Sequence, residues 1–395
     1  MEILFWISIF IIFYVFIGYG IVISVLAKFK ASDTPVALED EDLPHVTLLV
    51  AAYNEEDIID EKISNCLALD YPKEKLHIAM VTDGSTDNTN HLIEQHSSIT
   101  LHYTPQRAGK IAAVNRVMPT IDTPITIFSD ANVMINAQGL RELVKHFQNN
   151  RVAAVSGEKT VLSQKADGAS SSGEGFYWKY ESYLKKKDAE WNSLVGSAGE
   201  LFAIRTHLYE PIDTNTLIED FVLTMTLAAK GYKVAYEPKA LALETGSANM
   251  EEETKRKVRI SAGGIQAVIK LLPLLNLMRY GKLSFQYISH RVLRWTLMPL
   301  ALLGATLAVP FLAIANGIYL IPAIACLLIY ALAAMGYLMR NNPTRIKALY
   351  IPYYFLYMHY CVVLGWKKYF TGQQKVTWEK AKRANLPLQQ VESLN

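Results

Sequence analysis

The sequence predicts an α/β domain with a mostly parallel sheet, flanked by transmembrane helices and by amphipathic helices at the membrane interface. Three observations point there. Apolar runs of strand length alternate with amphipathic stretches from His45 to about Gly157, and long charge-free runs lie on either side of that region. Only 19 % of the 395 residues are charged, against about a quarter in an ordinary soluble domain.

The first charge-free run lies between Glu2 and Lys28 and is rich in Ile, Phe and Val. It is long enough to cross a hydrocarbon core as a helix. A cleaved signal peptide would bring a basic start, a shorter apolar run and a small-residue cleavage site. None is present, so a retained membrane helix is expected over 1–27, with a linker over 28–44. The domain itself is expected over 45–264. Its strands read at Val46–Ala52, Leu76–Val81, Ile99–Tyr103, Pro124–Phe128 and Val152–Val155, with helical segments near Glu55–Leu69, Asp87–His96, Lys110–Met118 and Ala137–Gln148. Continuous apolar strands separated by amphipathic helices indicate a sheet covered on both faces.

Downstream, 265–295 mixes apolar faces with Lys270, Arg291 and Arg294, and suits amphipathic helices on the cytoplasmic leaflet. A second charge-free run allows two crossings within 296–339, turned at Asn316-Gly317. The stretch 348–366 is aromatic-rich and carries Pro352 and His359; it fits either a third C-terminal crossing or a helix lying at the interface. Lys28 and Lys30 place the middle of the chain in the cytoplasm by the positive-inside rule, and Arg340, Arg345 and Lys347 agree. The basic tail, 367–395, asks for the same side, which conflicts with a third crossing there.

Charge and cysteine usage exclude other classes. A net charge of +2 argues against a nucleic-acid binder. Cys66, Cys326 and Cys361 form no CxxC pair, which argues against a disulfide scaffold or a cysteine-based zinc site.

In parallel α/β sheets ligands bind outside the carboxyl ends of the strands. The polar residues at those ends are Asn54-Glu55-Glu56, Asp83-Gly84-Ser85-Thr86-Asp87 and Asp130-Ala131-Asn132, so three strand ends converge on one acidic edge. No GxGxxG and no GxxxxGK[ST] occurs, so an acidic crevice would meet phosphates through a divalent metal. Each piece has a plainer reading: Asp83-Gly84 is a turn signal, and Asn54, Glu55 and Asp87 are residue types that cap helices. The set in this order is far more specific than any member.

Those segments, from Val50-Ala51-Ala52-Tyr53-Asn54-Glu55-Glu56 through Thr82–Thr89 to Ser129-Asp130-Ala131-Asn132, resemble the family 2 glycosyltransferases. The nearest subgroup is the membrane-bound one containing cellulose, hyaluronan and poly-N-acetylglucosamine synthases. The resemblance implies a GT-A type nucleotide-sugar-binding fold and an inverting transfer. It implies that Ala52, Tyr53 and Glu55 line the nucleoside pocket, Asp83 reads the base and Lys110 reaches the uracil or diphosphate region. Asp130 would bind Mg²⁺ or Mn²⁺ on the diphosphate, with Asn132 where many members have a second aspartate. Asp220, in Leu217-Ile218-Glu219-Asp220-Phe221, would be the general base that an acceptor hydroxyl needs. Its plainer reading is the N-cap of the following helix. Glu200 and Glu219 are acceptor-side candidates. Arg256 and Arg259 fall where processive members carry QxxRW, but the run 255–260 holds neither glutamine nor tryptophan.

The expected activity is therefore transfer from a nucleotide sugar, a UDP-sugar first, to a growing glycan. The alternative is transfer of one sugar to a lipid acceptor, and a silent nucleotide-sugar-binding membrane protein is the rival from another class. The expected setting is the bacterial inner membrane, multi-pass, with the catalytic domain cytoplasmic, membrane lipids around it and a partner subunit left open.

Overall fold

The computed structural model describes residues 1–30, 35–162, 170–246, 249–340 and 346–374. Arg345, residues 163–169 (the start of a Ser/Gly-rich run) and the tail beyond 374 lie outside them. Packing divides the described residues into an α/β unit (35–162, 188–246, 249–252) and a helical unit (1–30, 170–187, 253–340, 346–374).

The α/β unit is built on one sheet. Its strands are β1 (Val46–Ala52), β2 (Leu76–Asp83), β3 (Ile99–Thr104), β4 (Ile125–Asp130), β5 (Met134–Ile135), β6 (Val152–Leu162), β7 (Leu201–Arg205) and β8 (Lys233–Thr245). Their order is β3-β2-β1-β4-β7-β6-β8-β5. Pairing is parallel through β3-β2-β1-β4 and between β6 and β8, and antiparallel where β7 meets β4 and β6 and where β5 meets β8. Every residue of β1 is buried, as expected for a central strand covered on both faces. Val46, Leu48 and Val50 pack with Ile59, Ile63 and Cys66 of the helix Ile59–Leu67 and with Met80 and Ile127 of the neighbouring strands. Each such side chain contributes about 1.5–3 kcal/mol by leaving water.

Register decides what the sheet presents at its edge. Ala51 pairs with Asp130, Ala52 with Thr82 and Asp83 with Thr104, so the three acidic strand ends finish level. Because β7 runs against β4, its first residue, Leu201, lies opposite Ser129. The loop before β7, with Glu200, therefore enters at that same edge. Phe128 and Phe202 hold this pairing with rings stacked 4.6 Å apart.

The helical unit contains four helices long and apolar enough to cross a membrane: Glu2–Lys28, Leu297–Ala315, Gly317–Leu338 and Ala348–Phe370. The turn at Asn316-Gly317 forms as the sequence predicts, with the Asn316 side chain accepting from the Ile318 N–H at 3.1 Å. Outward faces such as Ile3, Trp6, Phe10, Ile321, Ile324 and Leu327 are exposed, which suits lipid rather than water.

The fourth of these helices packs against the first, where the Phe16 and Phe355 rings lie 5.1 Å apart, and against the third. Gly336, in the last turn of Leu320–Leu338, is so close to the Leu349 carbonyl that a Cβ there would sit 2.4 Å from it. Further along, the Tyr357 and Thr254 hydroxyls are 2.9 Å apart. Trp366 donates from Nε1 to the Trp295 carbonyl at 2.8 Å, and Gly365 abuts Ser261. Thr254 and Ser261 belong to the helix Met250–Lys270, whose early turns are densely charged.

Candidate functional site

The edge of the sheet is assembled from two interlocked loops. Asn54 turns the chain out of β1 with φ at 52°, a left-handed conformation that asparagine tolerates better than most residues. Its N–H donates to Ser85 Oγ at 3.1 Å, and the Thr86 N–H donates to Asn54 Oδ1 at 2.8 Å. The Glu55 N–H donates to Thr89 Oγ1 at 2.9 Å, while Glu56 and the loop Asp87–Asn88 exchange two more bonds. Asn54, Glu56 and Asp87 are thus spent on joining the first motif to the second. Ala52 and Glu55 are buried beside them. The Tyr53 ring carries the Arg107 guanidinium 3.8 Å above its centre, a cation–π pair that the sequence reading did not single out.

Asp83, the last residue of β2, is buried, and its two oxygens accept from the Ala108 N–H at 2.8 Å and the Gly109 N–H at 2.6 Å. The residue expected to read a base is therefore also the anchor of the loop 107–110. An ionised carboxylate has about four acceptor positions, so capacity remains. What this loop delivers is Lys110, at the start of the helix Lys110–Val117.

Lys110 stands at the centre of the cluster. Its Nζ lies 2.7 Å from Asp130 Oδ1 and 3.1 Å from Glu219 Oε1. Burial alone would lower its pKa, but the Asp130 and Glu219 carboxylates outweigh that and hold the ammonium above its ordinary range. Glu219, expected on the acceptor side, thus shares a cation with the donor-side Asp130. Asn132 is buried two residues beyond Asp130.

Asp220 lies in the first turn of the helix Glu219–Ala229, whose cap position is Ile218 with no side-chain capping bond. It is not the N-cap. Its carbonyl accepts from Thr224 Oγ1 at 2.7 Å and from Ser197 Oγ at 3.1 Å, which fastens the helix start to the loop before β7. The carboxyl is pushed up to about 7, first by removal from water, then by the like charges of Glu219 and Glu200, with Lys110 acting the other way. Glu200 itself pairs with Lys159 at 2.5 Å, and Lys159, buried in β6, also meets Glu244 of β8 at 2.6 Å. No motif marks Lys159 or Glu244. They arrive only because β6 and β8 pair in parallel and run past the edge.

The loop before β7 depends on Gly196, at φ 83°, where a Cβ would fall 2.0 Å from the Phe221 ring. Gly196→Ala is expected to cost at least about 2 kcal/mol through backbone strain and overpacking. Thermal melting of the purified protein should fall and turnover with it; an unchanged melting temperature would contradict this packing.

Arg256 and Arg259 stand on Met250–Lys270 in the helical unit, while the other candidates belong to the α/β unit. That unit has its own buried charge cluster, also missed in the sequence. Glu181 meets Arg291 at 2.6 Å, Arg294 at 2.7 Å and His290 at 3.3 Å. Burial would raise its carboxyl, but these cationic neighbours hold it well below the usual range.

Among the described residues no group of three His, Cys, Asp or Glu side chains is arranged to hold a metal alone. Asp130 and Asn132 supply hard oxygens, and Lys110 engages one Asp130 oxygen and leaves the other. That donor set fits a Mg²⁺ or Mn²⁺ ion that completes its shell with water and substrate phosphates.

Residues 44–263 match the model of a family described as glycosyltransferase like family 2. A poly-beta-1,6-N-acetyl-D-glucosamine synthase of Staphylococcus aureus (strain MSSA476) is 25 % identical over 244 residues, 58 % of this chain and 57 % of that protein. A protein of Bacillus subtilis (strain 168) named "Probable glycosyltransferase YdaM" is 26 % identical over 250 residues, 59 % of this chain and 58 % of its own. The chain thus spans less than two thirds of the length of these curated relatives. Among solved structures, the mannosyltransferase PcManGT from Pyrobaculum calidifontis, in complex with GDP-Man and Mn²⁺, matches with a TM-score of 0.71 at 22 % identity, over 94 % of this chain and 100 % of that one. That likeness is one of fold, a GT-A domain with its helices.

Proposed function

Because the chain belongs to glycosyltransferase family 2, we propose that it is a membrane-embedded inverting enzyme that transfers a sugar from a nucleotide sugar, UDP-linked first, to a growing glycan. The observation that carries this reading is the placement of Asp220, next to Glu219, beside the Lys110–Asp130–Glu219 cluster in one α/β unit, where burial and like charges push its carboxyl up to about 7. A base poised near the working pH is what proton removal from a hydroxyl requires.

Asp220 would take the acceptor hydroxyl's proton as that oxygen bonds to the anomeric carbon. The bond from that carbon to the diphosphate oxygen breaks in the same displacement, and the nucleoside diphosphate leaves with the electron pair. One displacement inverts the centre, so an α-linked donor gives a β-linked product. Ala52, Tyr53, Glu55 and Asp83 would hold the nucleoside, Lys110 the diphosphate, and Glu200 would face the acceptor. Asp130 and Asn132 would hold a Mg²⁺ or Mn²⁺ ion, which when bound neutralises charge on the diphosphate. Arg256 and Arg259 have the chemistry for charge-assisted bonds to phosphate.

Ile260 standing where processive members carry tryptophan favours a second reading, transfer of one sugar to a lipid acceptor. Product length separates the two, since one sugar on every product molecule sinks the polymerase.

The proposed setting is a multi-pass protein of the cell membrane with the α/β unit in the cytoplasm. Lys28, Lys30 and Arg340 support that orientation. We take the first three apolar helices as crossings and Lys347–Phe370 as a helix lying along the cytoplasmic surface. Its Trp366 end is tied to Trp295, two residues before Leu297–Ala315, its start meets the last turn of Leu320–Leu338, and Tyr357 meets a charged helix, while Phe355 and His359 reach Phe16 of the first apolar helix.

The deciding experiment is nucleoside-diphosphate release by purified protein over UDP-, GDP- and dTDP-sugars with Mn²⁺ or Mg²⁺. Metal-dependent release from one donor class supports the enzyme. Silence across the panel, with glycan and lipid acceptors supplied, favours the binding protein.

A further inference from the structure

The helix Ile59–Leu67 presents two polar side chains three residues apart, hence on one face. Lys62 is completely buried, and its Nζ donates to Ser129 Oγ at 2.9 Å and to the Val133 carbonyl at 2.5 Å. Asn65 exchanges two bonds with the backbone of Ile135, donating from Nδ2 at 2.8 Å and accepting at Oδ1 at 2.9 Å. Between these anchor points lie Asp130, Ala131 and Asn132. The segment is tied on its other side by the Ala131 N–H to the Ala51 carbonyl at 3.1 Å, and closed on itself by the Val133 N–H to the Asp130 carbonyl at 3.2 Å.

A lysine here is an expensive choice for packing alone. Both of its hydrogen-bond partners are neutral, and burial lowers its pKa, opposed only in part by Cys66 and the Asp130 carboxylate. Methionine would fill nearly the same volume without that cost. What methionine lacks is a donor that reaches two acceptors, one on each side of the Asp130–Asn132 segment.

We propose that Lys62 is a positioning residue, whose Nζ, bonded on both sides of the Asp130–Asn132 segment, fixes that segment in the form that receives a nucleoside diphosphate and its divalent cation. This rests on the reading of Asp130 as a donor-side residue. The arrangement matches the way outer partners orient metal-holding groups, where their loss costs about 10–100-fold in affinity.

The test uses the full-length protein and its Lys62→Met and Lys62→Arg variants. Hydrogen exchange over 129–135 is measured without ligand, and Mn²⁺ binding is titrated in the presence of UDP and, separately, of GDP. Lys62→Met is expected to speed exchange in that segment and to weaken Mn²⁺–nucleotide binding about 10-fold, and Lys62→Arg to recover much of both. If Lys62→Met fails to fold, Lys62→Gln takes its place.

Wild-type exchange in the methionine variant overturns the proposal. So does faster exchange with unchanged Mn²⁺–nucleotide binding, which would make Lys62 a packing residue only. Absence of Mn²⁺-dependent nucleotide binding in the wild type removes the functional reading and this proposal with it, whereas wild-type binding that Lys62→Met leaves intact removes the proposal alone.

Discussion

Asp220→Asn is expected to lower nucleoside-diphosphate release at saturating donor and acceptor by about 10²–10⁴-fold, the usual worth of a positioned general base. Asparagine keeps the shape that fits against Gly199 and loses the proton acceptor, so donor affinity should stay close to wild type. The pH profile gives a second signature. With a carboxyl near 7, wild-type turnover should rise with pH through that value and then level off. The residual activity of the variant should lack that limb. Stability should move the other way. The folded value lies above the unfolded one of about 3.9, so the protonated carboxyl stabilises the fold below pH 4, and that contribution is lost as pH rises through about 7. Asp220→Asn should therefore melt higher than wild type at pH 8 and no higher at pH 4. Unchanged turnover in this variant would remove Asp220 as the base.

The second large effect is expected from Asp130→Ala, a loss of about 10²–10³-fold in kcat/KM for the donor. The substitution removes an oxygen offered to the cation and leaves Lys110 paired with Glu219 alone. A rebalanced Lys110 could still grip phosphate, so some metal-independent release should survive. Titrating Mn²⁺ separates the parts: the variant should show little response at concentrations that saturate the wild type. A full response would place the cation elsewhere.

How much of this was legible in the sequence follows from how local each feature is. The strands β1 to β4 announce themselves as apolar runs, because both faces of a parallel sheet are buried and each strand reads on its own. The expected bounds of β1 hold, while β2, β3 and β4 run one or two residues further and take in Asp83, Thr104 and Asp130, since backbone pairing continues past the last apolar side chain. The helix expected from Glu55 begins at Ile59 because 54–58 is spent on the turn that meets Ser85–Thr89. The strand β8 carries Glu237 and Pro238 and was not seen at all, and the short β5 exists only by pairing with it. Asp83, Lys110, Asp130 and Asp220 are named by their motifs, and all four lie in the α/β unit. Lys159 with Glu244, Arg107 over Tyr53 and Lys62 are not so marked, because each acquires its partner through pairing between distant segments, and a lone lysine in a sequence looks like a solvated one.

The packing of Lys347–Phe370 bears on arithmetic as well as on position. If that helix lies along one face, the chain crosses the bilayer an odd number of times. Residues near Met1 and residues near Gln374 then emerge in different compartments, and Lys367 and Lys368 join Lys28, Lys30 and Arg340 on the side that positive charge prefers. A fourth crossing would have sent them to the opposite side. An impermeant thiol reagent applied to intact cells should accordingly label a cysteine introduced at Glu2 and spare one at Gln374; equal labelling of the two would restore the even count.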